Sequence, residues 1–173
     1  MAHALPKVLE AAERLKHRDD ITFFFAGAGA HRGVVEQLVA ERGLTNVRLI
    51  PRQPKERMPA LWSVCDVAIV PLRDNPVFAT VIPSKIFESM GMGVPILMSL
   101  PEGEATRIVR ETGSGVCVPP EDPEAMAAAI AELAESPAKV AELRSVARAA
   151  APRFSRDALA ARMVEILATV GRR

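Results

Sequence analysis

Five short, mostly apolar runs punctuate this chain: ITFFFA at 21–26, VRLI at 47–50, VAIVPL at 67–72, VPILM at 94–98 and VCV at 116–118. Runs of this length without regular polar alternation are the mark of strands covered on both faces, and such strands belong to parallel sheets. Between them the spacing turns helical. Leu5, Val8, Leu9, Ala12 and Leu15 predict a helix over 4–17, and Val34, Val35, Leu38 and Val39 predict a second that stops near Gly43. Pro54 opens a helix to Val64, Pro83 opens another, and Glu104–Glu111 makes a further one. After residue 121 only helices are expected: 123–135, 137–149 and 156–169, with Ser155 capping the last and Pro152 dividing the last two. Strand–helix alternation of this kind predicts a Rossmann-like α/β domain of three layers, a parallel sheet between helices. Residues 1–121 would form its core and 122–173 a helical tail, in one domain over 1–173.

In a sheet wound this way, ligands bind beyond the carboxyl ends of the strands. The loops expected there are 27–33, 51–54, 73–82, 99–103 and 119–122. One irregularity stands out. The pattern opens on a helix with no strand ahead of it, whereas a doubly wound unit starts with a strand.

Composition narrows the functional classes. With 22 Lys and Arg against 21 Asp and Glu, the net charge is +1, without the basic stripe of a nucleic-acid binder. Tyrosine is absent, so a base-stacking platform is not expected. The arginines of the last third (Arg144, Arg148, Arg153, Arg156, Arg162, Arg172 and Arg173) read as a solvated helical face; contact with phosphates or an anionic membrane surface is the alternative. Cys65 and Cys117 read as buried thiols of a reducing compartment, and no CxxC or HxxxH spacing suggests zinc. No run reaches membrane-spanning length, and the expected location is the cytoplasm.

The segment PSKIFESMGMGVPILMS, 83–99, carries most of the chemistry. A helix start leaves unbonded N–H groups and a partial positive charge, a ready anion site. Lys85 stands in the first turn, where a lysine opposes the helix dipole, and Glu88 lies one turn on from Ser84 on the same face. A hydroxyl, a cation and a carboxylate gathered there can meet a phosphate and sugar hydroxyls; a plain surface ion pair between Lys85 and Glu88 is the bland alternative. The run GAGAHRG, 27–33, follows a strand and precedes a helix, but its GxGxxxG spacing differs from the dinucleotide fingerprint and no acid follows about twenty residues on. It reads as a tight turn that leaves Gly27 and Gly29 at the ligand edge. Arg52 and Lys55 lie on a loop at the end of the second strand. Glu102 and Glu104 flank Gly103, either binding sugar hydroxyls or, for Glu104, sitting in a first helical turn. No Asp-x-Asp motif supports a divalent-metal site.

Taken together, DVAIVPL, the 83–99 segment and GEATRIVRETGSGVCVPPEDPEAMAAAI resemble the C-terminal, donor-binding domain of family-4 glycosyltransferases of the GT-B fold, and most the bacterial branch that builds polysaccharides and O-antigens from nucleotide-linked N-acetylamino sugars. The resemblance covers about residues 1–170. It implies that Glu88 hydrogen-bonds the donor's ribose, that Ser84 and Lys85 meet its diphosphate, and that the Pro51–Arg52–Gln53 loop lies against the base. It places the Glu102–Gly103–Glu104 loop near the donor sugar and brings Thr80, Val81 and Ile82 to the same site. Thr80 stands where the family carries the first of two glutamates seven residues apart, a departure that bears on sugar contacts. The substrate implied is a UDP- or TDP-sugar, handled without a metal or other cofactor. The resemblance also implies that a strand, its Gly-rich turn and the whole acceptor domain are missing here, so that the chain reads as a fragment or truncated product needing a partner to turn over. The last helix would then leave Leu159, Met163, Ile166 and Leu167 partly exposed or in a homodimer. Two other readings stay open: a non-catalytic module of the same fold, and a half-domain of a nucleotide-sugar epimerase.

Overall fold

The computed structural model describes residues 2–170. Five strands form in chain order, β1 (Phe23–Ala26), β2 (Val47–Ile50), β3 (Ala68–Pro71), β4 (Ile96–Ser99) and β5 (Gly115–Val118). Eight helices accompany them: α1 (Leu5–Arg14), α2 (Arg32–Glu41), α3 (Met58–Ser63), α4 (Lys85–Met92), α5 (Glu104–Thr112), α6 (Pro123–Glu135), α7 (Pro137–Ala150) and α8 (Arg156–Val170). Every strand pairing is parallel. The α/β class and its parallel strands are as expected, with one difference of architecture. The strands fall into two sheets, β1–β2 and β3–β4–β5, and not one.

The split explains where the strand reading fails. Residues 21–26 are not covered on both faces: strand geometry starts at Phe23, and Phe24 is 45% exposed. In β4, by contrast, all four residues are buried, because β3 and β5 flank it and helices cover it. Two apolar clusters follow the same division. One joins α1, β1 and β2 through Leu9, Ala12, Phe23 and Val47, and reaches Met126 of α6 and Leu97 of β4. The other gathers Ile86 and Met90 of α4, Val70, Met98 and Val109. Helix α6 packs against α1 as well as β4 and β5, and so ties the two halves together. Asn46 adds a buried polar tie by donating from Nδ2 to the Ala12 carbonyl in the last turn of α1 at 2.8 Å.

Several helix boundaries shift. The first helix is shorter than 4–17, and the 54–64 segment is a 3₁₀ turn (Lys55–Arg57) leading into α3. The 73–82 loop contains a 3₁₀ turn, Pro76–Thr80, capped by the Asn75 side chain accepting from the Val77 N–H at 3.0 Å. Helix α4 begins at Lys85 with Ser84 as the flanking residue, so Pro83 stands before the helix and not at its first position. Its far end turns on Gly93 at φ +64°, a left-handed conformation that favours glycine. Ser155 caps α8 as expected, its Oγ accepting from the Ala158 N–H at 3.1 Å. A 3₁₀ turn, Ala151–Phe154, separates α7 from α8, where Phe154 meets Phe87 of α4 with ring centroids 5.1 Å apart. No residue of α8 is buried. Among the described residues, no helix is long and apolar enough to cross a membrane.

Candidate functional site

Within each sheet the strands run parallel, so their carboxyl ends share an edge, and the loops after them gather there. At the start of α4, Ser84 and Lys85 are exposed. Ile86 and Glu88 donate their N–H groups to the carbonyls of Pro83 and Ser84. Phe87 also donates to the Ser84 carbonyl, and no side chain caps the helix, so at its head only the Ser84 and Lys85 amides are without a partner among the described residues. Ser84 instead donates from Oγ to the Glu88 carboxylate at 3.1 Å. The sequence expectation that Ser84 and Glu88 share a face is met. The ion pair between Lys85 and Glu88 does not form among the described residues; Lys85 reaches the cleft between β1 and β3. Ser84, Lys85 and Glu88 are all exposed, so the hydroxyl, the ammonium and the carboxylate can be reached from solvent.

The approach to α4 is ordered. Thr80 donates its hydroxyl to the Val77 carbonyl at 2.9 Å, closing the 3₁₀ turn. Val81 follows in extended backbone, and Val81 and Ile82 remain partly exposed beside the helix start. Across from this turn, Gly103 lies so close to Ala79 that a Cβ at 103 would stand 1.9 Å from the Ala79 carbonyl oxygen. The two loops are packed backbone to backbone, a contact that only glycine permits. The Gly103 N–H donates to Thr106 Oγ1 at 3.0 Å, and that hydroxyl also lies 3.2 Å from the Glu102 carboxylate.

Neither flanking glutamate is free. Glu102 takes both ends of the Arg110 guanidinium, whose hydrogen bonds hold its carboxyl below the usual range. Glu104, in the first turn of α5, pairs with Arg107. Beside Arg110, burial pushes the Cys117 thiol up, and burial does the same to Cys65. Both cysteines are free thiols.

On the β1–β2 side, Gly27 adopts φ +148° and donates its N–H to the Ile50 carbonyl at 3.1 Å, while Gly29 is open to solvent. Pro51 and Arg52 are exposed, and Gln53 folds back to donate to the Pro51 carbonyl at 3.0 Å. The structure therefore brings Ser84, Lys85, Glu88, Thr80, Val81, Ile82 and Gly103 into one group of touching loops. Gly27, Gly29 and 51–53 follow the carboxyl ends of β1 and β2 in the other sheet.

Sequence reasoning passed over two features. Arg32 donates from Nη1 to the carbonyls of Gly27 (2.7 Å) and Ile50 (3.2 Å), and so clamps the ends of β1 and β2 together. Glu121, at φ +53°, accepts from the Asp74 N–H at 2.8 Å and with Arg73, Asn75 and Phe78 lines a hollow of about 320 Å³. Arg32 stood inside the glycine run but carried no spacing that marked it. Glu121 joins a loop 47 residues away, which no local pattern reveals.

Fold and edge together define a Rossmann-like α/β unit with its binding loops at the carboxyl ends of parallel strands. The Glycosyl transferases group 1 family matches residues 3–153, and the chain belongs to that family. It is 34% identical over 132 residues to a probable glycosyltransferase, WbjE, of Pseudomonas aeruginosa, covering 76% of this chain and 32% of that protein. It is also 34% identical over 138 residues to a D-inositol 3-phosphate glycosyltransferase of Thermobispora bispora, covering 79% of this chain and 31% of that one. The chain thus spans about a third of the length of these relatives. Among solved structures, Alr3699/HepE of Anabaena in complex with UDP superposes with a TM-score of 0.76 at 20% identity, over 96% of this chain and 45% of that one. A glycosyltransferase of Rickettsia africae superposes with a TM-score of 0.77 at 20% identity, over 93% and 42%. These likenesses establish the fold.

Proposed function

We propose that this chain is the donor-binding half of a glycosyltransferase that moves a sugar from a nucleoside diphosphate to a polysaccharide or lipid-linked acceptor. The observation that carries the reading is the uncapped start of α4, with Ser84, Lys85 and Glu88 around it. The Ser84 and Lys85 amides at the head of the helix and the Lys85 ammonium suit a diphosphate, stabilised by fixed dipoles and a cation with no metal needed. Glu88, freed from Ser84, accepts from the ribose hydroxyls. The 51–53 loop faces the base, and the Thr80–Ile82 segment and Gly103 border the sugar, with Gly27 and Gly29 on the opposite lip. Glu104 contributes through the position of its turn, since its carboxylate is engaged by Arg107. The donor is a UDP- or TDP-sugar, in our reading an N-acetylamino sugar. The acceptor belongs to a separate half, and the exposed apolar residues of α8, Met163, Ile166 and Leu167, face that half. The reaction takes place at the cytoplasmic side of a membrane.

Calorimetry and thermal melting with UDP, TDP and UDP-GlcNAc test this. At about 100 times its dissociation constant a bound nucleotide adds about 2.7 kcal/mol of stability. Glu88→Ala removes a charged hydrogen bond of about 1.5–3 kcal/mol, a loss of about 10- to 150-fold in affinity, at unchanged melting temperature without ligand. No binding by the unaltered chain, or equal affinity in the variant, overturns the reading.

A further inference from the structure

The exit of β5 carries a strained residue outside the proposed donor site. Among the described residues other than glycine, Glu121 alone holds a positive φ, +53°. A side chain crowds the backbone in that region, so the conformation costs free energy and persists only where the surroundings impose it. They impose it here from both sides. Behind Glu121, the Ser99 Oγ donates to the Pro119 carbonyl at 3.1 Å and fixes the exit of β5 to the end of β4. Ahead of it, Asp122 caps α6 by accepting from the Glu124 and Ala125 N–H groups, and Pro123 takes the first helical position. The turn between these anchors sends the Glu121 side chain past β4, which lies between β5 and β3, to the loop after β3. There its carboxylate accepts from the Asp74 N–H at 2.8 Å. Asp74 opens the segment that leads through the Pro76–Thr80 turn, Val81 and Ile82 to the head of α4. One residue back, Arg73 donates to the Ala2 carbonyl, which anchors the end of β3 but not the loop beyond it. Glu121 therefore holds the start of the loop, and the Gly103 backbone, packed on Ala79, holds its far part. Asn75 cannot stand in for Glu121, because its Oδ1 is taken by the Val77 N–H inside the turn.

We infer that Glu121 is a positioning residue for the donor's sugar: its bond to the Asp74 amide sets the 74–82 loop in the place from which Thr80, Val81 and Ile82 border that sugar. The inference rests on the donor reading and adds to it a residue that touches no part of the ligand. In that reading Glu88 and the amides at the head of α4 take the ribose and the diphosphate, so the effect of Glu121 falls on the sugar and spares the nucleotide. A loop fixed before the ligand arrives has less freedom to lose on binding. Glycine would adopt the backbone of residue 121 without strain but could not hold Asp74. A side chain with an acceptor oxygen at this reach does both, and a hydrogen bond to a charged acceptor is the stronger kind.

The test uses the full chain with Glu121→Gly and Glu121→Gln. Glycine removes the acceptor and relieves the backbone; glutamine keeps an acceptor oxygen at the same reach and loses the charge. Calorimetric titrations with UDP, UDP-glucose and UDP-GlcNAc read the result, together with hydrogen exchange at the Asp74 amide. Glu121→Gly is expected to bind UDP as the unaltered chain does. Towards whichever UDP-sugar that chain binds more tightly, it should lose about fivefold, the scale of one hydrogen bond. Its Asp74 amide should exchange faster, and Glu121→Gln should restore both affinity and protection. Glu121→Asn, one methylene shorter and at ease in the left-handed region, takes the place of the glycine variant if that one does not fold. Unchanged affinity of Glu121→Gly for all three ligands overturns the inference. So does an equal loss towards UDP and the UDP-sugar, which would make Glu121 a general support of the fold. A Glu121→Gln protein as weak as Glu121→Gly overturns it too, because the charge and not the bond to Asp74 would then be what matters. An unaltered chain that binds none of the three overturns the donor reading and this role with it, a result visible before any variant is compared.

Discussion

Substituting Gly103 by alanine isolates the backbone contact that organises the site's loops. An alanine methyl at 103 would lie 1.9 Å from the Ala79 oxygen, 2.8 Å from its carbonyl carbon and 3.0 Å from its Cα. All three are backbone atoms, so no side chain can swing aside. The loops must separate by more than about 1 Å before the contact becomes tolerable, at a cost typical of overpacking, about 1–3 kcal/mol. The backbone itself raises no objection, since φ at Gly103 is 178°, an extended value any residue adopts. Without the contact, alanine would therefore stabilise by about 0.4–1 kcal/mol through the unfolded chain. The sign of the effect decides the matter. For a chain of this size, Gly103→Ala should lower the melting temperature by about 2–12 °C. Gly29→Ala, where a methyl meets nothing within 4 Å, should leave it unchanged or slightly raised. Differential scanning calorimetry on the two variants is the assay. A Gly103→Ala protein as stable as Gly29→Ala would refute the packing of the 101–103 loop on the Pro76–Thr80 turn.

Two further outcomes follow from named contacts. Arg32→Ala breaks the clamp on Gly27 and Ile50; the melting temperature should fall by a few degrees, for a loss of about 1–2 kcal/mol, and exchange of the Gly27 amide should quicken. Asp20 is held at about 2 by its hydrogen bond from Arg18, below the unfolded value near 3.8. Its stabilising effect is present above pH 4 and lost as the pH falls through about 2. Asp20→Asn should therefore melt below the parent at pH 7 and together with it near pH 2, in paired melting curves; a gap that persists in acid would contradict the assignment.

What the sequence could convey was set by range. The strands and the shared face of Ser84 and Glu88 rest on local spacing, and all of them formed. The start of α4 was legible to within two residues, because proline stands equally well just before a helix as at its first position. Exposure of β1 was not legible. ITFFFA is as apolar as a buried strand, and its bareness arises from what does not flank it. The pattern's opening on a helix hinted at the gap, but the division into two sheets follows only once β1 and β3 are placed. Arg32 and Glu121 were missed for the same reason, since each acts on backbone brought near by folding. Glu104 shows the converse. Its place beside a glycine in an edge loop left it open between a ligand and a first-turn residue; it sits in the first turn of α5, and an arginine one turn on claims its carboxylate.

The central claim is that the leading end of α4 receives a diphosphate. Amide shifts measured by NMR during titration with UDP, and with uridine as the control, test it most directly. The account expects the Ser84 and Lys85 amides to move most with UDP and little with uridine. Shifts confined to other loops, or identical with both ligands, would contradict it.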